Sequence, residues 1–307
     1  MPRIPVGRSI DNVIQFLLRH FGGLFDGVSS LLTTLVNAVY AVLHNPAYLV
    51  MIAVFAVIAW FASRRWQLVV FTVLAFLLVD SMELWTEAMQ TLTVVLIAAG
   101  AAVVIGVPIG IWAATSTLVS SVTRPVLDLM QTLPVFVYLI PAVFFFGIGV
   151  VPGVVSTIVF AIPPAVRLTE LGIRQVDREI VEAAHAFGSR PRQVLRQVQV
   201  PLAMPSIMAG VNQVIMLALS MVVIAGMVGA GGLGEVVVRG VTQLDIGAGF
   251  EGGLSVVILA IFLDRVTGGL GTPRPRTTRL RSRFARRRTV EQDREPEGAD
   301  VEAVAVG

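Results

Sequence analysis

Hydrophobic residues in this chain occur in long, nearly uncharged runs, and short segments that carry arginine separate them. A helix needs about 20 mostly apolar residues to cross the hydrocarbon core of a membrane. Only helices and closed barrels bond every backbone polar group internally within lipid. The runs are too long and continuous for barrel strands, so they predict an all-α, polytopic membrane protein with about seven transmembrane helices. The predicted spans are 47–63, 67–85, 91–115, 127–149, 150–167, 206–230 and 254–270.

The arginines are distributed unequally between the two sides that these spans would define. If the loop after the first span lies inside, the inside loops hold nine arginines and the outside loops hold Arg239 alone. The positive-inside rule then places the C-terminus in the cytoplasm and, with seven spans, the N-terminus outside. The inside arginines are Arg64, Arg65, Arg124, Arg167, Arg174, Arg178, Arg190, Arg192 and Arg196.

Composition and hydropathy divide the chain into three parts. Residues 1–46 are predicted to form an extracytoplasmic or interfacial segment without a cleaved signal peptide. Apolar positions within 28–43 recur at a helical period, which fits either a helix lying on the outer membrane surface or a scaffold helix packed on the spans. Residues 47–270 form the transmembrane domain. Residues 271–307, rich in proline, arginine and then acidic residues, are expected to be a disordered cytoplasmic tail that binds anionic lipid.

The composition excludes several classes of protein. All 23 basic residues are arginine, so the chain can form neither a Walker A phosphate loop nor a Schiff base. It contains no cysteine, which excludes disulfides, thiolate metal sites and a cysteine nucleophile. The three histidines, His20, His44 and His185, are not at metal-ligand spacing. We therefore predict no catalytic residue and no metal site on this chain.

The longest polar segment between spans, residues 167–201, predicts two short helices with a break between them. Asp177 is placed to cap the first helix, and Gly188 is placed to end it in the left-handed conformation common after helices. Ser189 is placed to cap the second helix, and Pro191 suits its first turn. The segment is therefore expected to be a helical hairpin on the cytoplasmic side.

A motif within this segment resembles the coupling loop of the permease subunits of ABC importers. The family pattern is Glu-Ala-Ala, three residues, glycine, nine residues and Ile-x-Leu-Pro. Its spacing, in an inside loop before a membrane span, makes the resemblance specific. The proline is also expected to end the hairpin before the sixth span. The matching residues are Glu182, Ala183, Ala184, Gly188, Val198, Val200 and Pro201, with valine as a conservative replacement at two positions.

The resemblance extends over roughly residues 87–270, where the sequence looks like the glycine betaine/proline branch of binding-protein-dependent permeases. The stretches GVPIGIWAA, MQTLPVFVYLIP and GMVGAGGLG are among those that carry it. It implies the permease fold of type I ABC importers, in a bacterial inner membrane. It also implies a translocation pathway for a small osmolyte. Related branches import choline, carnitine and other quaternary ammonium compounds, so the substrate is left open.

The same resemblance implies a division of work among several subunits. A cytoplasmic ABC ATPase would bind ATP and Mg²⁺, so no cofactor is expected on this chain. An extracytoplasmic binding protein would deliver the substrate, and a second permease, most simply an identical copy, would complete the pathway. In the coupling loop, Ala183, Ala184 and Gly188 would allow close packing, and Glu182 would be a polar anchor. For Glu182 a first-turn acid favoured by the helix dipole is an equal alternative.

Polar and aromatic residues in the fourth and sixth spans are candidates for the pathway, because polar groups at membrane depth usually face a cavity or a partner helix. Interhelical hydrogen bonding competes with this interpretation for the amides. For the aromatic rings, packing competes with cation–π binding of a quaternary ammonium group. Pro134 and Pro141 imply bends in the fourth span. The candidates are Gln131, Thr132, Phe136, Tyr138, Asn212 and Gln213.

Glycines mark two further features. Gly106 and Gly110 lie at the small-residue spacing that predicts a tight helix contact in the third span. The glycine-rich run 226–234 is expected to break the sixth span at its outer end. A short surface or re-entrant segment, 235–245, would follow it.

Two other classes of membrane protein compete with a permease subunit. A secondary transporter usually has inverted repeats with helices broken at the midplane, and no such pairing is evident. An intramembrane enzyme needs catalytic residues at membrane depth, and the sequence contains no Ser/His, Asp/Asp or His/Glu constellation. A nucleotide-binding subunit that co-purifies with the chain would separate the permease interpretation from both.

Overall fold

The computed structural model describes residues 6–271, and every element that it forms in that range is helical. The predicted tail, 271–307, thus lies outside the described residues except for its first position. One π-helical turn, Leu195–Gln199, joins α9 to α10. The helices are α1 (Val6–His44), α2 (Tyr48–Ser63), α3 (Trp66–Ser81), α4 (Trp85–Thr115), α5 (Thr117–Thr132), α6 (Phe136–Phe146), α7 (Val150–Arg174), α8 (Arg178–Ala186), α9 (Pro191–Val194), α10 (Val200–Gly226), α11 (Gly232–Gln243) and α12 (Ile246–Gly271).

The predicted all-α, polytopic class is confirmed, and each predicted span corresponds to a helix or to a bent pair of helices. Within residues 6–271, five helical segments are long and apolar enough to cross a membrane, or six if the bent pair α5–α6 is one span. Helices α2 and α3 are apolar but have only 16 residues each. At about 1.5 Å per residue each is roughly 24 Å long, against about 30 Å of hydrocarbon. The five segments are Ile14–His44, Trp85–Thr115, Val150–Arg174, Pro191–Gly226 and Ile246–Gly269.

The N-terminal segment forms one 39-residue helix, α1, rather than a short helix limited to 28–43. Leu32 and Val36 of α1 pack against buried residues of α4 and α7. Phe25 stacks on Phe145 of α6, with 4.6 Å between the ring centroids. These are the contacts expected of a scaffold helix packed on the bundle, which was one of the two alternatives for this segment.

Helices α4, α7 and α10 form the centre of the bundle. The tight contact predicted for the glycines of α4 is confirmed, because their backbone lies directly against α7. A Cβ atom added at Gly106 would lie 2.6 Å from Cβ of Ala165, and one added at Gly110 would lie 2.6 Å from the carbonyl oxygen of Val166. This order of contacts makes α4 parallel to α7.

Helices α2, α3 and α12 add a second layer through an aromatic cluster. Phe55, Phe76 and Phe262 contribute one ring each, with 4.8 to 5.4 Å between centroids. Edge-to-face and tilted ring pairs of this kind stabilise a core beyond simple burial. The short hairpin α2–α3 is therefore attached to the bundle mainly through α12.

The bundle has two distinct ends. At one end the start of α7 meets the end of α10, where the Gly149 amide donates to the Val228 carbonyl oxygen at 2.9 Å. We call this the glycine end. At the other, the loop end, Arg174 at the end of α7 donates to the carbonyl oxygen of Ala113 in α4 at 2.8 Å. Helices α8 and α9 extend from the loop end.

The predicted fourth span, 127–149, is not one continuous helix, since α5 and α6 meet at an angle of 93°. Helix α5 ends because Leu133 precedes Pro134 and takes the extended conformation that proline imposes on its neighbour. Across the bend the Tyr138 hydroxyl donates to the Met130 carbonyl oxygen. The second predicted bend is absent, because the other proline lies inside α6 without breaking it.

Candidate functional site

Helices α8 and α9 form a hairpin that connects α7 to α10 at the loop end. Helix α7 continues to Arg174, so the hairpin begins later than the predicted position, 167. Asp177 caps α8 as predicted: its Oδ1 accepts a hydrogen bond from the Glu179 amide at 2.9 Å. The cap satisfies one of the unpaired amides in the first turn of the helix. Only three residues, 175–177, separate the end of α7 from the start of α8.

Gly188 ends α8 as predicted, with φ at +80°. The Ser189 amide donates to the Ala184 carbonyl oxygen at 3.2 Å, and the Gly188 amide donates to the His185 carbonyl oxygen at 2.9 Å. This pair of bonds is the Schellman motif, which needs a residue of positive φ at the position of Gly188. A Cβ atom added there would meet nothing within 4 Å. The requirement for glycine is thus conformational rather than steric.

The prediction that Ser189 caps the second helix is wrong. The capping position belongs to Arg190, whose amide donates to Oε1 of Gln193 at 2.9 Å. Pro191 occupies the first turn as predicted. The Ser189 amide is already used by the Schellman motif, which places this residue before the helix rather than at its start.

The prediction that Pro201 ends the hairpin is also wrong. Residues Pro191–Gly226 form one continuous helical segment. Pro201 lies in the first turn of α10, directly after the π turn, in which the Val200 amide donates to the Leu195 carbonyl oxygen. Proline is tolerated in a first turn, and a π turn is one way for a helix to absorb a local irregularity. The second arm of the hairpin is consequently a direct extension of α10.

The residues predicted to contact an ATPase lie mostly at the surface of the hairpin. Helix α8 has no buried side chain, and Phe187 at its end is 90% exposed. Phe187 is not among the residues predicted from the motif, although an aromatic residue directly before the helix-ending glycine is a usable signal. An exposed ring beside small residues is typical of a surface that another protein covers. Glu182, Ala183, Gly188 and Pro201 are exposed, and Ala184 and Val198 are half-buried.

A cleft of about 640 Å³ separates the hairpin from the ends of α4 and α7. Its walls carry both positive and negative side chains, and α8 contributes Arg178, Val181, Glu182 and His185. The cleft shows that the hairpin is attached to the bundle at its two ends and stands apart from it in between. Polar lining residues include Thr115, Arg174, Glu182, His185, Arg192 and Gln199.

At the glycine end, the glycine-rich run breaks the predicted sixth span as expected, and α11 folds back against the bundle. The Gly232 amide donates to Oε1 of Gln90 at 2.9 Å, and the Leu233 amide donates to Oγ1 of Thr91 at 2.8 Å. These bonds satisfy the first amides of α11 with side chains of α4. Helix α11 packs on α4, α10 and α12.

Four pathway candidates flank the bend between α5 and α6. Gln131 and Thr132 are exposed in the last turn of α5, and Phe136 is exposed at the start of α6. Tyr138 is half-buried, and its hydroxyl is engaged across the bend. The structure therefore brings these four residues together around one break in the fourth span.

The two amides of α10 have different surroundings. Nδ2 of Asn212 donates to Oδ1 of Asp264 at 2.8 Å, and the Thr267 hydroxyl donates to Oδ1 of Asn212 at 2.7 Å. This is the interhelical bonding that competed with a pathway role for Asn212. Gln213 is exposed. The amides are not grouped with the other candidates, because α10 packs on α4, α7, α11 and α12 and makes no extensive contact with α5 or α6.

The fold and the hairpin define a polytopic helical membrane protein in which an exposed hairpin continues directly into one central helix. Residues 106–270 match the family described as the binding-protein-dependent transport system inner membrane component. The chain belongs to this family. The predicted class, a permease subunit of an ABC importer, is confirmed.

Several named relatives share most of this chain. It is 50% identical over 267 residues to the glycine betaine transport system permease protein OpuAB of Bacillus subtilis, over 87% of this chain and 94% of that one. It is 49% identical to the glycine betaine/carnitine transport permease protein GbuB of Listeria monocytogenes, over 87% and 95%. It is 48% identical to the glycine betaine/proline betaine transport system permease protein ProW of Escherichia coli, over 87% and 75%.

A solved structure has the same fold. The chain is similar to an inward-facing form of the MetNI methionine ABC transporter, with a TM-score of 0.55 and 21% identity, over 59% of this chain and 91% of that one. This likeness confirms the predicted permease fold of type I ABC importers.

Proposed function

We propose that this chain forms the translocation pathway of an ATP-driven importer for glycine betaine and related quaternary ammonium osmolytes. The observation that carries the proposal is 50% identity, over 87% of the chain, to a relative named for glycine betaine transport. A second substrate has its own support, since another relative of 49% identity is also named for carnitine. Proline and choline complete the set of substrates to be compared.

In this proposal the hairpin α8–α9 receives the movement of a separate ATPase. Its attachment supports that role: the second arm continues into α10, and only three residues link the first arm to α7. Such a short, capped connection moves as a body when its partner moves. Ala183, Ala184 and Gly188 would form the close contact, and Glu182, Val198 and Pro201 would border it.

Three partners follow from this function. A cytoplasmic ABC ATPase binds the hairpin and hydrolyses ATP with Mg²⁺, so the chain itself is not an enzyme. A substrate-binding protein delivers the osmolyte at the glycine end, which is then extracytoplasmic. A second copy of the permease completes the pathway, to which Gln131, Thr132 and Phe136 contribute their exposed side chains.

Uptake by the reconstituted transporter tests the substrate. We expect vesicles that contain the permease, its ATPase and its binding protein to accumulate glycine betaine only when ATP is present at the ATPase side. Proline, choline and carnitine should be measured in parallel as labelled substrates. Uptake of carnitine or choline in preference to glycine betaine would replace the proposed substrate. Accumulation without ATP would favour a secondary transporter.

Reporter fusions test the orientation. We expect a cytoplasm-only reporter fused after Gly307 to be active, because nine arginines lie in the loops assigned to the inside and one in those assigned to the outside. The same reporter inserted after residue 190 should also be active, since the hairpin must face the ATPase. Activity of an extracytoplasmic reporter at either position would contradict the orientation and the coupling role together.

A further inference from the structure

Helix α5 is attached to the bundle in an unusual way, because its apolar side does not face the protein. Of its side chains, only those of Ser120 and Leu127 are buried. Hydrophobic contact therefore contributes little to the attachment of α5, and polar contacts must supply the rest. Its exposed apolar residues are Leu118, Val122, Val126 and Leu129.

The polar contacts converge on one carboxylate of α7. Oε1 of Glu170 accepts a hydrogen bond from the Ser120 hydroxyl at 2.7 Å and from Nη2 of Arg124 at 3.1 Å, both on α5. Nε of Arg174, one turn further along α7, lies 3.1 Å from the same oxygen. The Glu170 side chain is 6% exposed, whereas that of Arg124 is 61% exposed. We call these four residues the Glu170 clasp.

The clasp also reaches α4, since Arg174 donates to the carboxyl-terminal turn of that helix through the Ala113 carbonyl oxygen at 2.8 Å. A second ion pair, Arg167 with Asp128, joins α7 to α5 nearby. A cavity of about 260 Å³ lies among these charged side chains. Three helices thus meet at a charged centre near the loop end.

The buried position of Glu170 makes this connection costly to break. A buried carboxylate keeps its desolvation cost when it loses partners, so removing them is unfavourable. Moving α5 away from α7 would remove two of the three partners of Oε1 of Glu170, Ser120 and Arg124, and leave Arg174 on α7 as the third. The two helices should consequently move together.

We propose that Glu170 is a positioning residue, through which movement of the hairpin reaches the bent pair α5–α6. The inference rests on the proposed function. The sequence of elements supports it: α8 begins just after Arg174, and the clasp joins the last turns of α7 to the first half of α5. From there the bend, held by Tyr138 and Met130, leads into α6. The clasp is thus a direct connection between the ATPase contact and the candidate pathway.

Substitution in the reconstituted transporter gives the first test. Glu170→Gln keeps the size of the side chain and an acceptor for Ser120 but removes its charge. Arg124→Gln removes the charged partner on α5, leaves Ser120 in place, and alters a largely exposed residue. We expect both variants to import about tenfold less osmolyte for each ATP hydrolysed, since residues in a coupling network change coupling by this order. Glu251→Gln, an exposed acid at the start of α12, is the matched control and should keep the normal ratio.

A distance measurement gives the second test and does not depend on the substrate. The chain contains no cysteine, so Ser121→Cys on α5 and Glu179→Cys on α8 can carry spin labels without background. In the otherwise unchanged complex, we expect the distance between the labels to stay constant between the nucleotide-free and ATP-trapped states. With Glu170→Gln or Arg124→Gln added, we expect the distance to change between the two states.

The outcomes separate the inference from the proposed function. If the unchanged complex imports none of the tested osmolytes, the proposed substrate is wrong, and the label distances alone show whether the clasp transmits movement. If Glu170→Gln does not assemble, the same measurements on Arg124→Gln answer that question. Normal coupling ratios together with unchanged label distances in an assembled clasp variant would overturn the inference.

Discussion

Replacing Gly110 by alanine should lower the stability of the purified protein, and replacing Gly100 by alanine should not. Both glycines lie on α4. A Cβ atom at Gly110 would lie 2.6 Å from the Val166 carbonyl oxygen and 2.7 Å from Cβ of Thr169, while one at Gly100 would meet nothing within 4 Å. The neighbours of Gly110 include backbone, which cannot rotate away.

The expected size of the effect follows from these contacts. Overpacking a well-packed core costs typically about 1–3 kcal/mol, and the contact with α7 belongs at the upper end or beyond. Alanine in place of an unconstrained helical glycine instead stabilises by roughly 0.5–1 kcal/mol. Thermal unfolding in detergent, followed by the loss of the monodisperse peak in size-exclusion chromatography, measures both. Equal midpoints for the two variants would contradict the close approach of α4 and α7.

Much of the fold could be predicted because lipid imposes a strong constraint on sequence. Long uncharged apolar runs are typical of membrane spans, and the spacing of Gly106 and Gly110 correctly indicated a close helix contact. Helix α1 was harder to predict because its apolar positions follow one face rather than forming an unbroken run. The bend at Pro134 is predicted by the sequence, but its angle of 93° depends on packing against α1, α4 and α7.

In the hairpin, local chemistry could be predicted and longer-range consequences could not. The Asp177 cap and the left-handed Gly188 depend on a few neighbouring residues, and both predictions are confirmed. The prediction for Pro201 is wrong because proline ends helices in general, whereas here a π turn precedes it and keeps the helix continuous. The coupling roles of the hairpin residues stay predictions.

The Glu170 clasp could not be predicted from the sequence, for a different reason. Its residues come from two helices, with Ser120 and Glu170 separated by 50 positions, and no motif links them. The sequence does contain a signal, since α5 alternates apolar and polar positions at a helical period. That pattern alone does not say which side faces the protein. In lipid the apolar side can be the outer one, and only the structure shows that the polar side faces α7.

Substitutions at Gly188 test whether transport requires the left-handed backbone conformation at this position. We expect Gly188→Val to assemble in the membrane with its ATPase but to lose most ATP-driven uptake. Left-handed backbone costs a non-glycine residue roughly 1–2 kcal/mol and is worst for a β-branched one. Gly188→Asn is the matched control, because asparagine adopts positive φ more readily and the position is open to a side chain. We expect it to keep most of the uptake.

Ala184→Arg tests the same surface by obstruction instead of strain. Ala184 is half-buried and lies outside the lining of the cleft, and its carbonyl oxygen accepts a hydrogen bond from the Ser189 amide at 3.2 Å. The substitution leaves that backbone bond in place and adds a long charged side chain where a partner should approach closely. We expect a loss of ATPase co-purification along with uptake, while Ala184→Ser keeps both. Membrane abundance, bound ATPase and uptake are measured for all four variants. If Gly188→Val and Ala184→Arg transport normally at normal abundance, the hairpin does not couple ATP hydrolysis to transport.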